Sequence, residues 1–191
     1  MSSIKIYADG RRIVVWDGKA RWQPDSGQFL FDFSAGAMVR NIAWSGSRRE
    51  TSGRLTAEHW FNLGVELEST SAYEAEKAYL MALEIDSQMS NAHLNLGKLY
   101  HDRNELKEAE AHYQAAATSA PDNPAPRFNL GVLMEDLKRP LDAMIAYREA
   151  IQLDAAFADA HYNLGLLCES LGKKTEALAH FRSARKLYRS Q

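Results

Sequence analysis

The sequence predicts a mainly α-helical chain: four tandem helix pairs stacked as an α-α superhelical solenoid, preceded by a small antiparallel β-meander. Three observations carry this reading. The tripeptide Asn-Leu-Gly recurs at Asn62, Asn95, Asn129 and Asn163, at spacings of 33, 34 and 34 residues. Out of phase with it runs a second set, an Ala, an aromatic four residues on and an Ala three further: Ala75/Tyr79/Ala82, Ala109/Tyr113/Ala116, Ala143/Tyr147/Ala150 and Ala177/Phe181/Ala184. The first 33 residues instead alternate apolar and polar side chains between Asp-Gly dipeptides.

The meander comes first. Three short runs, IKIYA, RRIVVW and KARW, are separated by Asp9-Gly10 and Asp17-Gly18. Asp-Gly suits a two-residue hairpin loop, where both residues take positive φ. Counting from those loops sets Ala8 opposite Arg11, Ile6 opposite Ile13 and Ile4 opposite Val15. In the second hairpin Val15 opposes Ala20 and Ile13 opposes Trp22. One face then carries Ile4, Ile6, Ile13, Val15, Ala20 and Trp22; the other carries Lys5, Tyr7, Arg12, Val14, Trp16, Lys19 and Arg21. A fourth strand, QFLFDF at 28–33, follows the turn at 24–27. Such a sheet has too little core to stand alone, so the first repeat or a second chain is expected to cover it. Residues 34–54, rich in Ser, Gly and Arg, read as a linker.

The repeats occupy 55–191, as units at about 56–89, 90–123, 124–157 and 158–191. Spacings of four and three place the Ala-aromatic-Ala set on one helical face, and Leu-Gly marks the facing side of the preceding helix. Small residues let the helices approach while the aromatic fills the space between them. Asp122 or Asn123 before Pro124 reads as a helix start, and Gly172 falls between the two helices of the last unit. The first copy is expected to carry one extra residue near its inter-helix turn, around Glu68–Ala72. A pair of this kind cannot bury its apolar face without a neighbour, which is why the units are tandem.

This pattern resembles the tetratricopeptide repeat (TPR) family over roughly residues 56–191. There are departures. The tryptophan expected in the first helix is Trp60 in the first unit but His93, Arg127 and His161 afterwards, and the proline expected between units is Pro121 in one place but Ser87 and Ala155 in the others. The stretch IYADGRRIVVWDG and the run PDSGQFLFDF are similar to the segment that joins a MerR-type helix-turn-helix head to such repeats in some bacterial regulators. No recognition-helix pattern precedes residue 4.

Charge separates the two parts. The whole chain has a net charge of −2. Residues 1–54 carry nine Lys/Arg against five Asp/Glu, whereas 55–191 carry fourteen against twenty. A single cysteine, Cys168, excludes a disulfide framework and a Cys-based zinc site, and reads as a packing residue. No apolar run is long enough for a membrane span and the polar start lacks a signal-peptide core, so the chain reads as cytoplasmic.

No cofactor, metal site or catalytic set is expected. His93 and His161 share one repeat position, as do His112 and His180, and equivalent positions lie apart along a solenoid. Gly172-Lys173-Lys174-Thr175 imitates the end of a phosphate loop, but its preceding glycine is too far back and no strand leads into it. The resemblance implies a concave groove lined by the first helix of each unit, binding an extended peptide. Phe61, Leu94, Phe128 and Tyr162 precede the four asparagines; Val65, Lys98, Val132 and Leu166 lie one turn on; Glu68, His101, Glu135 and Glu169 lie beyond, with Asp102 and Asp136 adding charge. An amide can accept from a peptide N–H while donating to a peptide C=O, so Asn62, Asn95, Asn129 and Asn163 suit a ladder for extended backbone, with simple solvation of the groove as the alternative reading. The expected partner is a basic or apolar segment. The family's clamp for chaperone C-terminal carboxylates needs Lys and Asn where Phe61 and Val65 stand, and further cations where the third-repeat groove is acidic, so the resemblance does not imply chaperone-tail binding.

These residues predict a non-enzymatic interaction module, with a regulator accessory that senses a partner as the alternative. The basic and aromatic face of the sheet is expected to be solvated rather than to bind nucleic acid. Leu178, Leu187 and Tyr188 on the last helix leave apolar surface, which predicts a homodimer through that helix or the meander.

Overall fold

A computed structural model describes residues 55–190 with their side chains, and residues 5–9 and 12–16 as backbone. The chain divides into two units, residues 1–54 and 55–191. In the first, β1 (Lys5–Asp9) and β2 (Arg12–Trp16) pair antiparallel. The pairs are Lys5 with Trp16, Ile6 with Val15, Tyr7 with Val14, Ala8 with Ile13 and Asp9 with Arg12. This corrects the register counted from the sequence. Asp9 joins the ladder instead of the loop, so each partner moves by two residues. A shift of two preserves which residues alternate together, so the hydrophobic pattern fixes the parity of the pairing and leaves its offset open. The proposed third and fourth strands and the linker lie outside the described residues.

The second unit holds eight helices in four pairs. They are α1 (Ala57–Glu68) with α2 (Ala72–Ile85), α3 (Ser90–Asp102) with α4 (Leu106–Ser119), α5 (Pro124–Asp136) with α6 (Pro140–Leu153), and α7 (Ala158–Ser170) with α8 (Lys174–Ser190). Each second helix also packs on the first helix of the next pair, and α3 touches α5. The Ala-aromatic-Ala set forms the spine of the core. Its alanines and Tyr79, Tyr113 and Tyr147 are buried. A Cβ placed on Gly64, Gly97 or Gly131 would lie 2.5 Å from the ring of Tyr79, Tyr113 or Tyr147, and one on Gly165 would lie 2.7 Å from Phe181. Only glycine permits that approach, so Leu-Gly and the aromatic are two halves of one contact. Burial crosses the junctions: Leu133 of α5 joins Leu94 and Tyr113, and Leu164 of α7 joins Met134 and Tyr147.

The turns explain the departures. In the last three pairs one turn residue adopts positive φ, at Asn104 (61°), Lys138 (59°) and Gly172 (75°). The N–H of the next residue then reaches back to the helix, from Glu105 to the Tyr100 carbonyl, Arg139 to Met134 and Lys173 to Cys168, each at 2.8 Å. The first pair has no such residue. Ser69 ends α1 in right-handed geometry, and Ser71 caps α2 by accepting from the Glu74 N–H at 3.3 Å. The first copy is therefore one residue short and not one residue long, and what it lacks is the left-handed turn position.

Between pairs that lack the proline, the aspartate just before its position shapes the turn. Asp86 accepts from the Gln88 N–H at 3.0 Å and Asp154 from the Ala156 N–H at 2.8 Å, each fixing the turn its junction needs. At the proline-containing junction Asn123 is the cap, accepting from the Ala125 N–H at 3.0 Å with Pro124 in the first turn.

Candidate functional site

The four asparagines sit on the first helices, two residues before the glycines that pack on the aromatic spine. This fixes their direction, because the Gly side of each helix is committed to the core. Asn62 is exposed, and Asn95, Asn129 and Asn163 are half-buried. Two of them are tied into the fold. The Asn95 amide donates to the Tyr79 hydroxyl at 3.0 Å, and that hydroxyl donates to the Glu68 carboxylate. The Asn163 amide donates to the Tyr147 hydroxyl at 3.4 Å, which donates to Glu135 at 2.5 Å. Each relay links a carboxylate of one repeat, the buried tyrosine behind it and the asparagine of the next repeat. Burial raises both phenol pKa values, and the carboxylate bond raises them further. The hydroxyls thus stay protonated, as donation to a carboxylate requires.

The central junction is built differently. His101 stands where Glu68 and Glu135 stand in their repeats. Its ring and that of Tyr113 make a T-shaped contact with centroids 6.2 Å apart, and its Nε2 lies 2.8 Å from Asp136 of the next repeat. Glu169 holds the equivalent position in the last repeat, where Phe181 in place of tyrosine has no hydroxyl to offer, and it is exposed. Among the described residues Asn62 and Asn129 form no side-chain hydrogen bond. All four amide carbonyl oxygens are without a protein donor in the same set.

The apolar residues divide. Phe61, Phe128 and Tyr162 lie 5.7, 5.8 and 6.0 Å from the ring behind them. Leu94 is the exception to the expected apolar floor, for it is buried with Tyr113 and Leu133. Leucine there is short enough to sink into the helix pair, whereas Phe61 and Phe128 are half-buried and Tyr162 is exposed. One turn on, Val65 and Leu166 are exposed apolar side chains, Lys98 is an exposed cation and Val132 is half-buried. With Glu68, Asp102, Asp136 and Glu169 all exposed, the face is apolar with an acidic margin.

The histidines are arranged in a way the repeat positions did not show. His93 pairs with His112 and His161 with His180, Nδ1 to Nδ1, each at 3.0 Å within one repeat. The signal was present as an interval of 19 residues that occurs twice. Cys168 is buried, and burial raises its thiol pKa. Among the described residues there is no cluster of three or more His, Cys, Asp or Glu able to hold a metal, and no helix long and apolar enough to cross a membrane.

Residues 97–138 and 142–172 match a family model described as TPR repeat, and residues 158–190 match one described as Tetratricopeptide repeat. The matched residues carry tetratricopeptide repeats. The same helix-pair geometry extends the array back to Ala57, beyond the matched residues. Among solved structures it is similar to MamA, at 21% identity and a TM-score of 0.65 over 70% of this chain and 79% of that one. A MamA fragment from Desulfovibrio magneticus RS-1 gives 20% and 0.63, covering 72% and 78%. YrrB, described as a TPR protein with an unusual peptide-binding site, gives 24% and 0.62, covering 71% and 70%. These likenesses show the fold. No protein of curated function matches the sequence significantly.

Proposed function

We propose that the repeat unit is a non-enzymatic interaction scaffold whose first-helix face holds an extended peptide. The observation that carries this reading is the set of four amides at repeat intervals on the first helices, whose carbonyl oxygens take no protein donor among the described residues. Two of them, Asn95 and Asn163, are held by tyrosine hydroxyls, so little side-chain freedom is lost when a peptide N–H donates to them. The exposed apolar residues Val65, Tyr162 and Leu166 supply contact area, and the acidic margin selects a basic or apolar segment. The family, and the peptide-binding site named for YrrB, agree with this use. The organisation proposed with it is a meander over 1–33, a linker over 34–54 and the repeats over 55–191.

The test uses fluorescent peptides of about ten residues, one lysine-rich, one apolar and one acidic. Binding is expected in the micromolar range or weaker for the first two. Asn95→Ala with Asn129→Ala should weaken it about tenfold while circular dichroism stays unchanged. Equal affinity in the folded double variant removes the ladder, and tighter binding of the acidic peptide removes the selectivity.

A second reading rests on the basic first 54 residues and their likeness to a regulator segment. There the repeats sense a partner on behalf of a DNA-binding protein. Salt-dependent binding of duplex DNA by the full chain supports it, and no binding at moderate salt favours the plain scaffold. Light scattering of the full chain tests the proposed homodimer.

A further inference from the structure

One position in the helix pair is solved in two ways along the array. In the first helix it holds Trp60, His93, Arg127 and His161, and the matching position of the second helix holds Ala78, His112, Ala146 and His180. Odd repeats set a large side chain against alanine. Even repeats set histidine against histidine. Trp60 and Ala78 are both buried.

The hydrogen bonds fix where the protons of the histidine pairs reside. His93 Nε2 lies 3.2 Å from the Ser87 carbonyl and His161 Nε2 lies 3.3 Å from the Ala155 carbonyl. A carbonyl only accepts, so these nitrogens carry hydrogen. In the neutral ring Nδ1 is then a bare acceptor. The Nδ1–H of His112 donates to His93, and that of His180 donates to His161, across 3.0 Å. His112 and His180 are left with an unprotonated Nε2.

We propose that the two histidine pairs form an acid-sensitive latch, holding first helix to second in repeats two and four at neutral pH and releasing when a pair takes up two protons. A first proton can enter at Nε2 of His112 or His180 without disturbing the Nδ1 contact. A second must go to Nδ1 of His93 or His161, where it meets the N–H of the partner ring, donor against donor. The unfolded chain has no such restriction, so below the ordinary imidazole pKa of about 6.5 it binds at least one more proton per pair. Stability therefore falls as pH falls through that value, about tenfold in the unfolding equilibrium per pH unit for each excluded proton.

The surroundings differ between the two pairs. His112 feels Glu76 of α2, whose carboxylate already takes the Tyr100 hydroxyl and the Arg103 guanidinium, and the Tyr100 ring stacks on it at 5.3 Å. His180 feels Glu176 of its own helix and Arg148 of α6, which pair with each other at 2.9 Å. Burial first, and then the partner imidazole, lowers the pKa of both His112 and His180, with Arg148 adding to the effect at His180.

The chain supplies its own control. The variant H93W/H112A/H161W/H180A copies the Trp60 and Ala78 solution into both even repeats. Urea unfolding of the full chain and of this variant is measured at pH 7.5, 6.0 and 5.0. The acidic groups are common to both, so the difference isolates the pairs. Between pH 6.0 and 5.0 the unmodified chain should lose about 100-fold more in its folding equilibrium than the variant. An identical acid dependence in the two folded chains overturns the latch. Ring-nitrogen NMR spectra of the unmodified chain at pH 7.5 decide it independently. Hydrogen on Nε2 of His93 and His161 and on Nδ1 of His112 and His180 supports the latch, and the reverse tautomers overturn it.

Discussion

The junction between repeats one and two and the junction between three and four are built from the same parts, whereas the junction between two and three is not. In the outer junctions a carboxylate, a buried tyrosine and an asparagine form a relay: Glu68, Tyr79 and Asn95, then Glu135, Tyr147 and Asn163. In the central junction the Tyr113 and His101 rings meet in a T-shaped contact, and the cross-repeat bond passes from His101 to Asp136 on the exposed face. The aspartate turns at Asp86 and Asp154 and the histidine pairs follow the same rule. The array therefore has two periods. The spine repeats every helix pair, because every pair must bury the same face. The polar details repeat every second pair, which makes the molecule two two-repeat modules joined at a plainer seam.

The largest test of this comparison removes a spine residue. Tyr147→Ala leaves a cavity at a fully buried site and strands Glu135 and Asn163, and should cost about 3–5 kcal/mol in urea unfolding. Deleting the hydroxyl alone separates the junctions. Tyr79→Phe and Tyr147→Phe should each cost about 1–2 kcal/mol, and Tyr113→Phe less than about 0.5 kcal/mol. Three equal costs would show that the relays contribute nothing and would dissolve the two-module description. The smallest effect sharpens it from the seam side. Lys138 carries the left-handed turn at φ 59° where the neighbouring turns use Asn104 and Gly172. Lys138→Gly should raise stability by about 0.5–1 kcal/mol, read as a higher urea midpoint at unchanged slope.

Much of the fold was legible because it depends on residues at fixed intervals. Asn-Leu-Gly and Ala-aromatic-Ala recur whenever the same two helices must meet, so counting found both the helices and their contact. The irregular first copy was legible as irregular. Its direction was legible too, since 33 against 34 and 34 is one residue short, and the expectation of an extra residue miscounted it; only the positive φ at Asn104, Lys138 and Gly172 shows which turn position is missing. The candidate face was legible in its position and only partly in its state. The asparagines could be placed, but nothing in their spacing said that Asn95 and Asn163 rest on tyrosine hydroxyls, or that Leu94 would sink into the core.

The sequence by itself determined the number of repeats and the face each helix buries, because these follow from periodicity and from the size of glycine and alanine. Tertiary structure decided which polar groups meet. The His93 and His112 rings, or Tyr79 and the amide of Asn95, come from different helices, and their contact depends on how far the helices are rotated and offset. A hydrogen bond tolerates only a few tenths of an ångström of that offset, whereas burial of an apolar face tolerates much more. Periodicity fixes the coarser of the two, and the packed helices settle the finer.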